Sequence, residues 1–135
     1  RRVTCPTDLP CASAMARITD VEAGNRLGFF LVQDAADWAA GLSDGDMLGF
    51  VDGAGNAATL ADGSDLFLAV NGTAVDETVF HSFAAAMNGD GLQHALSGVE
   101  EGGEAISVGF EDLTGGGDRD FEDVVFRIEQ TDPLV

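Results

Sequence analysis

No apolar run in this chain is long. Clusters of glycine with aspartate or asparagine interrupt it at Asp44-Gly45-Asp46, Asp52-Gly53, Asp62-Gly63-Ser64-Asp65, Asn71-Gly72 and Asn88-Gly89-Asp90-Gly91. Glycine admits left-handed backbone, and Asp and Asn side chains bond their own main chain, so these clusters are turns. Segments that short between turns are read as strands, which makes the chain all-β. Its 135 residues suffice for one domain with a core. An apolar content of 45% excludes general disorder.

Leu27–Gln33, Met47–Val51 and Asp65–Val70 read as strands, and a further strand is expected near Ala14–Thr19. Asp37–Leu42 predicts one helical turn, with Trp38 as a core anchor. Thr78–Met87 fits a helical face through Val79, Phe80, Phe83 and Met87, or a strand through Val79–Phe83; the all-β surroundings favour the strand. In the final third, Ile106, Val108 and Phe110 alternate with Ser107 and Gly109, and Val124, Phe126 and Ile128 with Val125 and Arg127. Each run presents one apolar face, which predicts an antiparallel pair closed by the long loop Glu111–Asp123. The expected architecture is a single β-sandwich, jelly-roll-like, over residues 22–131, with an N-terminal arm over 1–21 and a linker stub over 132–135.

The charge narrows the function. Twenty-four acidic residues against six basic ones give −18, which repels phosphate backbones and anionic lipid and suits multivalent cations. Nucleic-acid binding is therefore not expected. Neither is membrane insertion, since no run of about 18 apolar residues exists. No charged segment followed by an apolar one opens the sequence, so any secretion signal is expected to have been removed or to lie in a longer precursor. Cys5 and Cys11 lack the spacing of a zinc or redox pair. They read as a local disulfide pinning the arm, with two free thiols as the alternative, and a disulfide points to an oxidising compartment.

The loop from Glu111 to Asp123 carries the chemistry. It holds six carboxylates and one arginine in thirteen residues, and like charges so close repel and raise one another's pKa. A divalent cation removes that repulsion, and Ca²⁺ takes about 6–8 oxygen ligands from carboxylates and main-chain carbonyls. Asp118 and Asp120, two apart in extended chain, point to one side. Asp123 can close the far side once Phe121 has turned into the core, while Glu111 and Asp112 arrive from the preceding strand. Gly115-Gly116-Gly117 lets the backbone wrap tightly, with Gly116 the expected carbonyl ligand. Oxygen donors without Cys or His favour Ca²⁺ over zinc or copper, and Mg²⁺ seldom uses an all-protein cage. The competing reading is a solvated acidic turn with no ion. The EF-hand spacing is absent.

Gly109-Phe110-Glu111-Asp112-Leu113, followed by Gly115-Gly116-Gly117-Asp118, Asp120-Phe121 and Asp123-Val124-Val125-Phe126, resembles the signature of domain-of-unknown-function family 4114. Its modules occur in large bacterial surface and secreted proteins, including RTX-type adhesins. Glu22–Asn25 followed by Leu27-Gly28-Phe29, and Asp90-Gly91 followed by His94, are similar to earlier parts of the family's pattern. The resemblance implies a β-rich, calcium-binding extracellular module with no known enzyme activity. The family usually has Asn where this chain has Glu122, so Glu122 is left outside the ligand set.

Other motifs are weaker. Gly41-Leu42-Ser43-Asp44-Gly45 matches a nucleophile elbow by letters, but a strand rather than a helix is expected after it, so it reads as a turn. Gly53-Ala54-Gly55 lacks the helix of a dinucleotide site. His81 and His94 read as hydrogen-bonded structural residues. His94 could instead orient a ligand from behind, and Asp90 could do the same or join a second cation site. Three functions compete. The first is a calcium-locked structural and interaction module between neighbouring domains of a larger extracellular or surface chain. The second is a calcium-dependent binder of a glycan or peptide carboxylate, with the ion in the binding site. The third is a calcium-assisted hydrolase, for which no catalytic pair is evident.

Overall fold

The computed structural model describes residues 16–130. The expected Cys5–Cys11 disulfide and the stub 132–135 lie outside the described residues. Among the described residues there are eight strands: β1 (Phe30–Val32), β2 (Leu48–Val51), β3 (Phe67–Val70), β4 (Thr73–Ala74), β5 (Val79–His81), β6 (Ala95–Val99), β7 (Ala105–Phe110) and β8 (Val124–Glu129). One short helix, α1 (Ala36–Ala40), lies between β1 and β2. The strands pair as three small antiparallel sheets, β1-β5, β2-β3-β4 and β6-β7-β8, in keeping with the all-β expectation. Very short strands keep the sheets small: β1 and β5 offer three residues each before a turn ends the ladder.

The β1-β5 ribbon links the other two sheets. Phe30 pairs with His81 and Leu31 with Phe80, and successive residues of a strand point to opposite faces. Leu31 and Phe80 therefore join one side, in a core with Phe29, Ala95, Val108, Phe110, Phe126 and Ile128. Phe30 and His81 face the other, where both rings meet Phe50 of β2, at centroid distances of 5.1 and 4.9 Å.

The predicted C-terminal hairpin is found. Ile106 pairs with Ile128, Val108 with Phe126 and Phe110 with Val124, so the alternation in sequence becomes one shared apolar face. Val108 and Phe110 are buried, whereas Ile106 and Val124 are exposed. The acidic loop thus leaves β7 directly from the deepest part of the core.

Elsewhere the structure departs from expectation. Leu27–Phe29 lies outside β1, and residues 16–19 form no strand. Trp38 is only half-buried, because a five-residue helix with no buried position cannot seat it as an anchor. Thr78–Met87 divides between both readings: β5 first, then a 3-10 turn over Ala85–Met87. Buried Asn88 joins the two. Its Oδ1 accepts from the His81 N–H at 2.6 Å, and its Nδ2 donates to the Leu92 carbonyl at 2.7 Å. That ends β5 and shapes the loop carrying Asp90 into β6, just behind His94.

Candidate metal centre

Glu111 follows Phe110 without a break and is 1% exposed, an unusual place for a carboxylate. Its main chain is clamped to His94: the Glu111 N–H donates to the His94 carbonyl, and His94 Nδ1 donates back to the Glu111 carbonyl, both at 2.9 Å. Its side chain is aimed at the loop, where Oε2 accepts from the Arg119 N–H at 3.0 Å.

Two groups of carboxylates converge on it. Glu111, Asp112 and Asp123 form one, Glu111, Asp118 and Asp120 the other, and in each the oxygens lie within 4.8 Å of one another. Asp118, Asp120 and Asp123 are exposed and Asp112 half-buried, so the cluster is closed on the core side and open on the other. Five sequence-predicted acidic residues are thereby brought together, with Glu111 common to both groups. Glu122 belongs to neither group.

Electrostatics follow from the packing. Burial, and then the Asp123 charge, push the Glu111 carboxyl above its ordinary range, against the Arg119 bond that favours the ionised form. Asp112 is raised for the same two reasons, in the same order. Such a site gains from a cation twice, through charge neutralisation and through oxygen coordination of a buried group. An all-carboxylate set suits a hard ion of the Mg, Ca or Mn kind. These acidic groups could hold a metal ion.

The backbone that makes this possible is left-handed at five of seven consecutive positions. Gly115, Gly116, Gly117, Arg119 and Phe121 have φ of +85°, +84°, +43°, +59° and +58°. At Gly117 a Cβ would overlap the Glu111 carboxylate, 2.7 Å from its Cδ, so any other residue there would turn that carboxylate out of its place. Gly116 is buried beneath the Arg119 side chain and Leu92. Asp118 and Asp120 accept the N–H groups of Asp120 and Glu122, at 3.3 and 2.9 Å, which sets their turns. Phe121 is half-buried rather than in the core, and its carbonyl lies where a Cβ of residue 109 would be, so only glycine fits at Gly109.

Asp90 and His94 stand outside both carboxylate groups and brace the loop. Asp90 Oδ2 accepts from His94 Nε2 at 2.9 Å and from the Gly115 N–H at 2.8 Å, while Oδ1 accepts from the Leu92 N–H at 3.0 Å. Burial works against its charge, but the bonds from Gly115, Leu92 and His94 prevail and hold the carboxyl at about 2.

A family model described as a domain of unknown function (DUF4114) matches residues 21–131. The chain belongs to this family. No curated protein and no solved structure matches it. In this DUF4114 domain, sequence reasoning missed three supports of the site: the Arg119 N–H, the close approach of Phe121 to Gly109, and Gln33. The Gln33 side chain donates to the Asp112 carbonyl at 2.7 Å, tying the end of β1 to the loop. A polar residue ending an apolar strand was the available signal for Gln33. The other two are main-chain contacts without a side-chain signature. Among the described residues no helix is long and apolar enough to cross a membrane.

Proposed function

We propose that this domain is a calcium-binding module of a secreted or surface-exposed bacterial protein, in which Ca²⁺ held by Glu111, Asp112, Asp118, Asp120 and Asp123 locks the fold. The observation that carries this reading is the burial of Glu111 amid four neighbouring carboxylates, a placement that disfavours the metal-free charged state. The Gly116 carbonyl is the proposed main-chain ligand, and Asp90 and His94 position the loop rather than ligate. Ca²⁺ fits better than Mg²⁺ because a crowded set of five carboxylates would have to strip Mg²⁺ of the waters it keeps. At free Ca²⁺ about 1,000-fold above Kd, binding confined to the native state adds about 4 kcal/mol of stability. The module would remain loose at low calcium and set once outside the cell, holding or spacing neighbouring domains.

Exposure of Asp118, Asp120 and Asp123 supports a second reading, in which the open side of the ion also takes a glycan hydroxyl pair or a peptide carboxylate.

The test is a thermal melt in EDTA, in Mg²⁺ and in millimolar Ca²⁺, beside an Asp118→Ala/Asp120→Ala variant. A Ca²⁺-specific rise in Tm that the variant lacks is expected. A Tm indifferent to Ca²⁺ in the parent protein would overturn the proposal.

A further inference from the structure

The side of the β1-β5 ribbon away from the hairpin core holds a pocket of ≈ 280 Å³ whose walls include Phe30, Phe50, Phe83 and His81, with Arg26 also lining it. It shares no residue with the acidic cluster. Two of its features are unusual. His81 is 6% exposed; its main-chain N–H and C=O are taken by Asn88, yet neither ring nitrogen makes a hydrogen bond among the described residues. Burial alone pushes the imidazole below its ordinary range, so near neutral pH the ring offers one donor and one acceptor. The second feature is Arg26. In a chain of charge −18 it makes no ion pair among the described residues, and its guanidinium instead lies 4.7 Å from the centre of the Phe83 ring.

An aromatic-walled pocket with a few polar groups at defined positions is the usual form of a small-molecule site. An unpaired imidazole whose nitrogens keep some access from outside can donate and accept, and is matched by a hydroxyl, which does both. A guanidinium held by an aromatic face is matched by a carboxylate. We propose that the pocket binds a small hydroxylated aromatic acid, with its ring among Phe30, Phe50 and Phe83, its hydroxyl on His81 and its carboxylate on Arg26.

The test is a titration of the calcium-saturated protein with 4-hydroxybenzoate, followed by NMR of the His81 and phenylalanine ring signals. Saturable shifts at Phe50, His81 and Phe83 are expected. Benzoate and phenol, each lacking one polar contact, should bind about tenfold more weakly. Arg26 is exposed, so Arg26→Gln keeps the fold; it should weaken 4-hydroxybenzoate about tenfold and leave phenol unchanged. His81→Phe should reduce 4-hydroxybenzoate to the affinity of benzoate. Absence of saturable shifts at these rings, or equal affinity of the three probes, would overturn the proposal.

Discussion

Two glycines two residues apart separate backbone strain from the integrity of the carboxylate cluster. Gly115 and Gly117 both have positive φ, +85° and +43°, so alanine strains either position. For a non-glycine residue in left-handed backbone the penalty is about 1–2 kcal/mol. Gly117 lies nearer the left-handed minimum at about +57° than Gly115 does, so its strain is the smaller of the two. Surroundings reverse the order. A Cβ at Gly115 meets nothing within 4 Å, whereas at Gly117 it overlaps the Glu111 carboxylate. Turning that carboxylate aside breaks its bond from the Arg119 N–H, which adds about 1–3 kcal/mol. Gly115→Ala should therefore lose about 1–2 kcal/mol, from strain alone, and Gly117→Ala about 2–5 kcal/mol in total. Because Gly117→Ala displaces Glu111, it should also weaken Ca²⁺ at least about tenfold, the usual scale for losing the support of a ligand. Urea unfolding in EDTA reads the first difference, and calorimetric Ca²⁺ titration the second. Equal losses for the two variants in both assays would refute the placement of Glu111 against Gly117, and with it the argument for a buried ligand.

Asp90→Ala removes three accepted hydrogen bonds and should destabilise the protein by about 2 kcal/mol while lowering Ca²⁺ affinity; unchanged affinity would mean that Asp90 does not position the loop. Phe110→Ala should lose about 3–5 kcal/mol by urea unfolding, with or without calcium, because the ring is 2% exposed at the centre of the core. The metal-free protein should show an inverted acid response. Glu111 and Asp112 are raised in the native state from ordinary values of 4.5 and 3.8, so the native protein binds protons more readily than the unfolded chain. Stability then rises as pH falls through their native pKa values and levels off below their unfolded ones. Asp90, at about 2 against 3.8, acts oppositely, and its contribution is lost as pH falls from 3.8 to 2. Urea midpoints in EDTA should peak in mildly acid solution, and a steady decline from about pH 7 to about pH 5 would contradict the raised carboxylates.

The parts of this fold legible in sequence are those in which one strand's own alternation decides the outcome. Val108 and Phe110 face the core because a period of two leaves them no other face, whereas the burial of Glu111, on the opposite side of that alternation, comes from the loop folding back onto its carboxylate and was not legible. The acidic loop itself was legible for another reason: crowded carboxylates beside three glycines need both a tight backbone and a counter-charge. Pairing between distant segments was not legible. β1 and β5 meet across 46 residues of chain through only three residue pairs, and nothing in Leu27–Gln33 says that its ladder begins at Phe30. Trp38 was overread because apolar character gives no depth of burial. Asp90 and His94 showed a four-residue spacing, but not that one would hold the Gly115 N–H and the other the Glu111 main chain.

Those braces decide how far an ion's influence would reach. A carboxylate cluster on a free loop would order only that loop. Here Glu111 is a cluster member whose main chain is clamped by two hydrogen bonds to His94, and the His94 ring stacks on Phe80 at 3.9 Å, 19° from parallel. Phe80 lies in the main core and is paired through β5 to β1. The Gln33 side chain ties the end of β1 to the Asp112 carbonyl, completing a circuit from the loop through the core and back. With the core confined to short strands, such a circuit lets a cation stabilise the middle ribbon as well as the hairpin. Hydrogen exchange can separate the two cases. Added Ca²⁺ should slow exchange at the paired amides of β1 and β5 as well as at Arg119 and Asp120, whereas protection confined to residues 111–123 would show that the loop closes on its own and that the His94–Phe80 stack transmits nothing.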